Sequence, residues 1–411
     1  MNIYFIIIIL ILLFEYFLSN IVRKLNLNAL DSKLPEEFSD VFDEEEYKKS
    51  QLYTKAKEHF AYLSSTLMII LSLSIILFGA YNIIDQYVRE FQYGAIITGL
   101  LFYGILIILS DIISTPFNLY DTFVIEEKFG FNKMTIKTFF SDKIKSYALF
   151  IIIGAPIISL ILFFFESFNQ YAWVYAWILI VSFSLIMQPI FILFIAPLFN
   201  KFSPLKDQSL LKKIESYLKN VDFPITKIEV MDGSKRSSHS NAYFSGIGKN
   251  KRIALFDTLI DSMDEDEIVS ILAHEVGHYK LKHIQTGIIL SSIQSGVMLF
   301  ILSLFINNRD LFDVFKMEEL SIYASLLFFS ILYTPISMII NFVFNYISRK
   351  NEFAADQYSL ETTGKPENLI SALKKLTIEN LSNLTPHWLN VSLNYSHPPV
   401  VDRIHALKSS K

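Results

Sequence analysis

The sequence predicts an all-α polytopic membrane protein that also carries a small α+β polar region. Of its 411 residues 52% are hydrophobic and only 18% are charged, and the mean hydropathy is +0.39. Soluble domains usually carry about 25% charged residues. The 37 Phe and 21 Tyr residues fit a membrane setting, because aromatic side chains are favoured at membrane interfaces. These observations exclude an ordinary soluble protein.

Seven apolar stretches are long enough to cross a bilayer core, which takes about 20 helical residues. The first has no Lys or Arg before its apolar run, and Arg23 and Lys24 follow it. We therefore interpret it as a retained anchor rather than a signal peptide. The predicted spans are 2–22, 60–84, 94–118, 147–168, 171–199, 286–306 and 320–347.

The distribution of basic residues supports the count of seven and predicts the orientation. The segments after the odd-numbered spans hold 33 of the 36 Lys and Arg residues, and such segments face the cytoplasm by the positive-inside rule. The amino terminus is therefore predicted to be outside or lumenal, and the carboxyl terminus cytoplasmic. The membrane would be the endoplasmic reticulum in a eukaryote, and the inner or plasma membrane in a bacterium.

The spans divide the chain into four parts. We predict five helices with cytoplasmic loops in 1–199, a cytoplasmic region in 200–285, two helices in 286–347 and a second cytoplasmic region in 348–411. Within the first cytoplasmic region, apolar spacing predicts one helix followed by three short strands. These are 207–221, 226–231, 252–256 and 240–246.

Composition also limits the chemistry. The chain has no Cys, so disulfides, thiolate metal sites and cysteine nucleophiles are excluded, and any metal must be bound by His, Asp or Glu. A net charge of −4 argues against a nucleic-acid partner. The lipid bilayer is the one partner that composition itself predicts.

The strongest motif is His274-Glu275-Val276-Gly277-His278, which matches HExxH. It follows an acidic opening and apolar residues at helical spacing, so we predict that it lies on a helix. Two histidines four residues apart share one helix face and can bind one Zn²⁺, while Glu275 acts as general base toward the attacking water. The alternative is a surface helix with two solvated histidines.

A catalytic zinc usually has three protein ligands, so a third residue must return to this helix. The hairpin of spans 286–306 and 320–347 brings the chain back to the same side at Glu352, our predicted third ligand. Asp356 lies one turn further on the same face, where it would orient a zinc histidine. The alternative is that both are interfacial charges beside a span. The chain has no HExxHxxGxxH pattern, which excludes a metzincin.

Six stretches of the sequence resemble the integral-membrane CAAX prenyl endopeptidases of the a-factor-converting type, and together they extend over most of the chain. They are 120–128, 238–246 with Asn241-Ala242-Tyr243-Phe244, 252–259, HEVGHYKLKH at 274–283, 351–356 and 396–399 with His397-Pro398-Pro399.

This resemblance implies seven helices around an intramembrane chamber, with one zinc ion at the cytoplasmic end. It implies that His274, His278 and Glu352 bind the zinc and that Glu275 is the base. It further implies that Asn241 and His397 approach the substrate or the tetrahedral intermediate, and that Arg403 belongs to the same group. Without the resemblance, His397 would be interpreted as a turn residue before two prolines.

Residues 240–246, which include Ala242 and Tyr243, also suggest an exposed strand edge that binds an extended peptide through main-chain hydrogen bonds. The other histidines of the polar regions, His239, His283, His387 and His405, are expected to be solvated or structural.

The predicted function is a membrane zinc metalloendopeptidase. By resemblance, it removes the C-terminal tripeptide of a prenylated CAAX protein, or cleaves a similar membrane-delivered peptide. One alternative is an HtpX-like quality-control protease of the membrane. An alternative of another class is a transporter or scaffold with structural zinc, which would need a closed four-ligand site.

Overall fold

A computed structural model describes residues 2–224, 227–239, 242–247 and 250–409. Within this part of the chain seven helices are long and apolar enough to cross a membrane, which confirms the predicted fold class. They are Ile3–Asn28, Glu44–Phe78, Ala95–Phe129, Ile136–Ser167, Asn169–Phe199, His283–Phe305 and Ile322–Thr363.

Several of these helices are longer than their apolar stretches. The second begins at Glu44, where Asp43 caps it by accepting a hydrogen bond from the Glu46 backbone N–H, and it ends at Gly79 in the left-handed conformation (φ +67°). The prediction placed this span at 60–84. Hydropathy reports membrane depth, whereas capping residues decide where a helix begins and ends.

Three spans contain a π-helical turn close to a proline. These turns are Asp121–Glu126 after Pro116, Phe150–Gly154 before Pro156 and Phe191–Ile195 after Pro189. Proline removes one backbone donor from a helix, and each of these spans continues through the wider turn that lies near its proline.

The polar region contains a four-stranded sheet in the described part of the chain, with the order β1-β2-β4-β3. β1 is antiparallel to β2, β2 is parallel to β4, and β4 is antiparallel to β3. β3 therefore lies at one edge, which confirms a strand close to the predicted 240–246. β1 was not predicted, because three residues ending in a proline carry no alternating pattern. The strands are Phe202–Pro204, Lys227–Met231, Ala242–Ile247 and Asn250–Phe256.

Shorter helices complete the structure. The predicted helix at 207–221 is confirmed at Gln208–Asn220, where the Asp207 side chain accepts hydrogen bonds from the first backbone N–H groups. Its Ile214 packs in one core with Ile253 of β4 and Leu272 of a later helix. The other helices of eight or more residues outside the spans are Ala80–Arg89, Glu265–Lys280, Pro366–Glu379 and Val400–Ser409, and the shorter ones include Asp257–Ser262, Arg309–Val314 and Trp388–Asn394.

Candidate metal centre

The HExxH motif lies on the helix Glu265–Lys280, as predicted. A capping box fixes the start of this helix: the Asp264 side chain accepts from the Glu267 N–H at 2.9 Å, and the Glu267 side chain accepts from the Asp264 N–H at 2.9 Å. Lys375 also forms a 2.7 Å ion pair with the Glu267 carboxylate. Buried Ile268, Leu272 and Val276 share the face that packs on the core. The helix is thus anchored at its start and along one side.

The seventh span approaches this helix closely because small residues meet at the crossing. A Cβ atom on Gly277 would lie 3.2 Å from the Ala355 Cα, and Ala355 is fully buried. One turn away, the Ser359 hydroxyl donates to the Ser270 carbonyl at 2.8 Å. The seventh span is one continuous helix from Ile322 to Thr363, so this contact also fixes the position of Glu352.

The three predicted ligands come together. The Nε2 atoms of His274 and His278 are 3.1 Å apart. The Glu352 carboxylate oxygens lie 3.4 Å from His274 Nε2 and 3.2 Å from His278 Nε2. These residues form a group that could bind a metal ion.

The arrangement of these atoms fits a divalent cation. Zinc binds His nitrogen and carboxylate oxygen at about 2.0 to 2.2 Å, which gives a tetrahedron with edges of about 3.3 Å. The three measured separations match this edge. In addition, Glu352 Oε2 is buried and has no hydrogen-bond partner among the described residues. This oxygen lies 3.4 Å from His274 Nε2 and 3.5 Å from Arg403 Nη1, and a bound cation would supply the close ligand contact that it lacks.

Asp356 contacts the Nδ1 atom of His274, and Arg403 contacts Asp356. His274 Nδ1 lies 2.8 Å from Asp356 Oδ1, and Arg403 donates two hydrogen bonds to the same carboxylate at 2.8 and 2.6 Å. If Nδ1–H donates to Asp356, the Nε2 lone pair is left for a metal. Burial alone would lower the pKa of His274, but the nearby Asp356 and Glu352 carboxylates outweigh burial and raise this pKa to about 9. The site therefore favours positive charge at this position.

Two cavities meet at the motif helix. The span cavity, about 480 Å³, is lined by His278 and His283 and by apolar residues of the sixth and seventh spans, including Ile284, Leu290, Phe344 and Ile347. The outer cavity, about 260 Å³, is lined by His274, His397 and Arg403 and by Leu369, Leu373 and Leu376. Glu275 lines both cavities.

The structure brings two of the predicted substrate residues, His397 and Arg403, to the metal centre. His397 Nε2 lies 3.4 Å from Glu352 Oε1, and 64% of the His397 side chain is exposed. Arg403 joins the site by contacting Asp356, and only 9% of it is exposed. Asn241 lies outside the described residues. Ala242 begins β3, the edge strand, which lies against the motif helix.

Sequence reasoning missed the contacts of two further histidines. The Nδ1 atoms of His283 and His278 lie 3.0 Å apart. The signal available for His283 was its place five residues after His278. His239 contacts Glu126 of the third span, with Nε2 to Oε2 at 3.5 Å, and Asn380, whose Oδ1 is 2.8 Å from Nδ1. No local spacing relates these three positions.

Comparison with known proteins identifies two matching families. Residues 24–201 match the CAAX prenyl protease N-terminal family of five membrane helices. Residues 204–411 match peptidase family M48. The two matches meet near the point at which the fifth span ends at Phe199.

Similar proteins cover nearly the whole chain. A CAAX prenyl protease 1 homolog of Mus musculus is 34% identical over 97% of this chain and 93% of its own length. CAAX prenyl protease 1 of Saccharomyces cerevisiae is 36% identical over 92% of this chain and 89% of its own length. The crystal structure of S. mikatae Ste24p superimposes with a TM-score of 0.94 at 34% identity, covering 98% of this chain and 99% of that one. The chain therefore belongs to peptidase family M48, in its membrane-spanning CAAX prenyl protease branch.

Proposed function

We propose that this protein is a zinc metalloendopeptidase of the membrane. Its substrate would be a prenylated CAAX protein, from which it removes the C-terminal tripeptide, or a similar membrane-delivered peptide. The observation that carries this proposal is the convergence of His274, His278 and Glu352 beside Glu275, between two cavities. The zinc is assigned from this donor set, which contains two imidazoles and one carboxylate.

Glu275 is the general base of the proposed reaction. Its carboxylate lies one residue from the ligand His274 and lines both cavities, so it is accessible to a water and to a bound peptide. The zinc ion, when bound, supplies Lewis acidity that makes water nucleophilic at neutral pH and polarises the scissile carbonyl. Glu275 accepts the proton of the attacking water and passes it to the amine of the leaving tripeptide.

His397 and Arg403 have different roles in the proposed reaction. His397 is exposed, with Nδ1 2.9 Å from the Ser396 hydroxyl oxygen and Nε2 3.4 Å from Glu352 Oε1. Its Nε2–H would donate a hydrogen bond to the oxyanion that forms at the carbonyl. The Arg403 guanidinium donates to Asp356 instead. We assign Arg403 to positioning Asp356 and thereby His274, rather than to binding the peptide.

The edge strand β3 supplies the peptide-binding surface of the proposal. β3 pairs with β4 along one side, so an extended substrate can pair with its other side by main-chain hydrogen bonds. Asn241, Ala242 and Tyr243 would then line the substrate at the start of this strand. This assignment stays a prediction from sequence.

The substrate class follows from the apolar walls of the span cavity and from the relatives. Ile284, Leu290, Phe344 and Ile347 form an apolar surface on the membrane spans next to Glu275. A lipid-modified peptide gains free energy by burying its chain against such a surface. The similar proteins are named as CAAX prenyl proteases, whose name describes the same substrate class.

The uneven distribution of basic residues supports a cytoplasmic metal centre. Since 33 of 36 Lys and Arg residues follow the odd-numbered spans, we propose that the carboxyl terminus is cytoplasmic and the amino terminus outside or lumenal. Protease-accessible tags at the two ends test this orientation in sealed vesicles. Both tags on one side would contradict it.

The two alternative functions differ from the proposed one in the number of zinc ligands or in the substrate. A structural zinc in a transporter or scaffold requires four protein ligands, whereas the group found among the described residues has three. An HtpX-like quality-control protease would cleave unfolded membrane proteins without regard to a lipid.

The test compares two peptides with the same CAAX-type sequence, one farnesylated and one unmodified. The purified protein is expected to release the C-terminal tripeptide from the farnesylated peptide, as measured by mass spectrometry, and much less from the unmodified one. A chelator should stop the reaction, and Glu275→Gln serves as the inactive control. Equal cleavage of both peptides would favour the quality-control alternative, and no cleavage of either would contradict the proposal.

A further inference from the structure

We propose that His283 is a positioning residue that fixes the orientation and tautomer of His278 by accepting a hydrogen bond from its Nδ1–H. This inference rests on the proposed function, because it takes His278 as a metal ligand. The two ligand imidazoles would then be held differently. A carboxylate holds His274, and a second imidazole holds His278.

The contact between the two rings is direct. The Nδ1 atoms of His278 and His283 are 3.0 Å apart, and the rings meet edge to face with centroids 5.1 Å apart. One nitrogen must donate and the other must accept, since two lone pairs would repel. The Nε2 of His278 faces His274 and Glu352. If Nε2 is the ligand atom, the proton of neutral His278 lies on Nδ1, and His283 Nδ1 is the acceptor.

The backbone between the two histidines is shaped to make this contact. The motif helix ends at Lys280 and the sixth span begins at His283. Between them Lys282 adopts a left-handed conformation with φ +61°, which residues other than glycine rarely adopt. Its N–H is bonded to the Tyr279 carbonyl at 3.0 Å. This turn ends the motif helix and places His283 against His278.

The rest of the His283 ring faces the span cavity, which Glu275 also lines. When Nδ1 accepts from His278, neutral His283 carries its own proton on Nε2. The ring therefore has two separable polar groups, an acceptor toward His278 and a donor at the opposite side of the ring. Substitutions that retain one group at a time distinguish between them.

The test measures zinc affinity by competition with a chromophoric chelator, using the full-length protein in detergent. In His283→Asn the side-chain oxygen can occupy the place of Nδ1, so this variant should bind zinc within about threefold of the parent. His283→Gln moves the amide toward the place of Nε2, and His283→Phe keeps only the ring shape. Both should bind zinc about 10 to 100-fold more weakly, the usual effect of losing an outer hydrogen bond to a metal ligand.

Two further variants calibrate the measurement. Asp356→Asn removes the anionic partner of His274 and should also lower zinc affinity by about 10 to 100-fold. Gln285→Asn changes an exposed side chain in the same turn and should leave zinc affinity unchanged. If His283→Phe does not fold, His283→Gln alone decides the result.

Parental zinc affinity in both His283→Gln and His283→Phe would overturn the inference. Equal weakening in all three His283 variants would also overturn it, because the acceptor in His283→Asn would then have no effect. A parent that binds no zinc would contradict both this inference and the proposed function. A parent that binds zinc but cleaves neither peptide would contradict only the proposed function, and the ranking of the His283 variants would still decide the inference.

Discussion

Two clusters of this molecule place a histidine against a carboxylate, buried at Glu352 and half-buried at Glu126, and they differ in how many of their polar atoms have hydrogen-bond partners. In the metal centre, His274 Nδ1 is bonded to Asp356 at 2.8 Å. Its other nitrogen faces the Nε2 of His278 at 3.1 Å. Glu352 completes the group with an oxygen that is buried and lacks a hydrogen-bond partner among the described residues.

The second cluster, which we call the His239 cluster, consists of His239, Glu126, Asn380, Tyr53 and Lys57. Here Nδ1 is bonded to the Asn380 amide oxygen at 2.8 Å, and Nε2 lies 3.5 Å from Glu126. The Glu126 carboxylate also accepts from the Tyr53 hydroxyl at 2.7 Å and from the Lys57 ammonium at 3.0 Å. The imidazole is stacked on Phe131 with centroids 4.0 Å apart.

The difference shows that a histidine and a carboxylate do not by themselves make a metal site. In the His239 cluster, Tyr53, Lys57 and the imidazole supply donors to the carboxylate, so nothing is left for a cation to satisfy. In the metal centre, Arg403 donates to Asp356 but lies 3.5 Å from Glu352 Oε2, and this oxygen lacks a hydrogen-bond partner among the described residues. We infer that the metal centre is the catalytic centre. The His239 cluster instead connects the segment before β3 to the second and third spans.

The largest expected effect is the loss of zinc and of turnover when Glu352 of the metal centre is replaced, compared with Glu126 of the His239 cluster. Glu352→Ala should lose most of its zinc and should lower turnover by about 10⁴-fold, because a ligand is removed from a three-ligand site. Glu126→Ala should retain its zinc, because its neighbours do not bind the ion. Metal content and peptide hydrolysis measured on both variants test this contrast. Full zinc occupancy in Glu352→Ala would move the assignment of the third ligand to Asp356.

The second prediction separates the base from the ligands. Glu275→Gln should retain full zinc content and lower turnover by about 10³-fold, because the amide cannot accept the proton of the attacking water. Zinc analysis and hydrolysis rates on the same preparation measure both quantities. Near-parental turnover would contradict the assignment of Glu275.

The third prediction concerns His397, the exposed imidazole beside Glu352. His397→Ala should lower kcat by about 10²-fold and leave zinc content unchanged, because its donor acts on charge that develops only in the transition state. Steady-state kinetics on the farnesylated peptide measure this effect. A rise in KM at parental kcat would show that His397 binds the peptide without stabilising the oxyanion.

The extent to which these features could be predicted depended on whether a periodic signal encoded them. The helix period places His274 and His278 on one face, and the hairpin of the last two spans returns Glu352 to them. The turn that places His283 depends on the left-handed conformation at Lys282, which no residue preference would indicate.

Other parts of the structure depend on contacts between distant residues. His239 and Asn380 are 141 residues apart, and no spacing rule connects them. Hydropathy predicted seven spans but not where their helices end, because capping residues such as Asp43 extend a helix beyond its apolar part. Such features are determined by tertiary packing and local capping rather than by periodicity.

The smallest expected effect is a pH dependence of stability from the His239 cluster. Burial alone would lower the pKa of His239, but the hydrogen bonds to Glu126 and Asn380 outweigh burial and raise the pKa above its ordinary value. The stability that His239 contributes is therefore complete below about pH 6.5. It is lost as the pH rises through the higher pKa of the folded protein.

His239→Gln should accordingly lower the thermal midpoint by about 2 °C or less at pH 6, and by still less at pH 9, since the side chain is partly exposed and solvent screens the pair. The parent and the variant are compared at each pH, so that other titrating groups cancel. A larger destabilisation at pH 9 than at pH 6 would contradict a positively charged His239.

The most direct test of the contrast between the two clusters is anomalous diffraction at the zinc edge from crystals of the zinc-loaded protein. The account predicts one strong peak between His274 Nε2, His278 Nε2 and the Glu352 carboxylate, and none between His239 and Glu126. A peak at the His239 cluster, or no peak at the HExxH helix, would contradict the assignment of the metal centre.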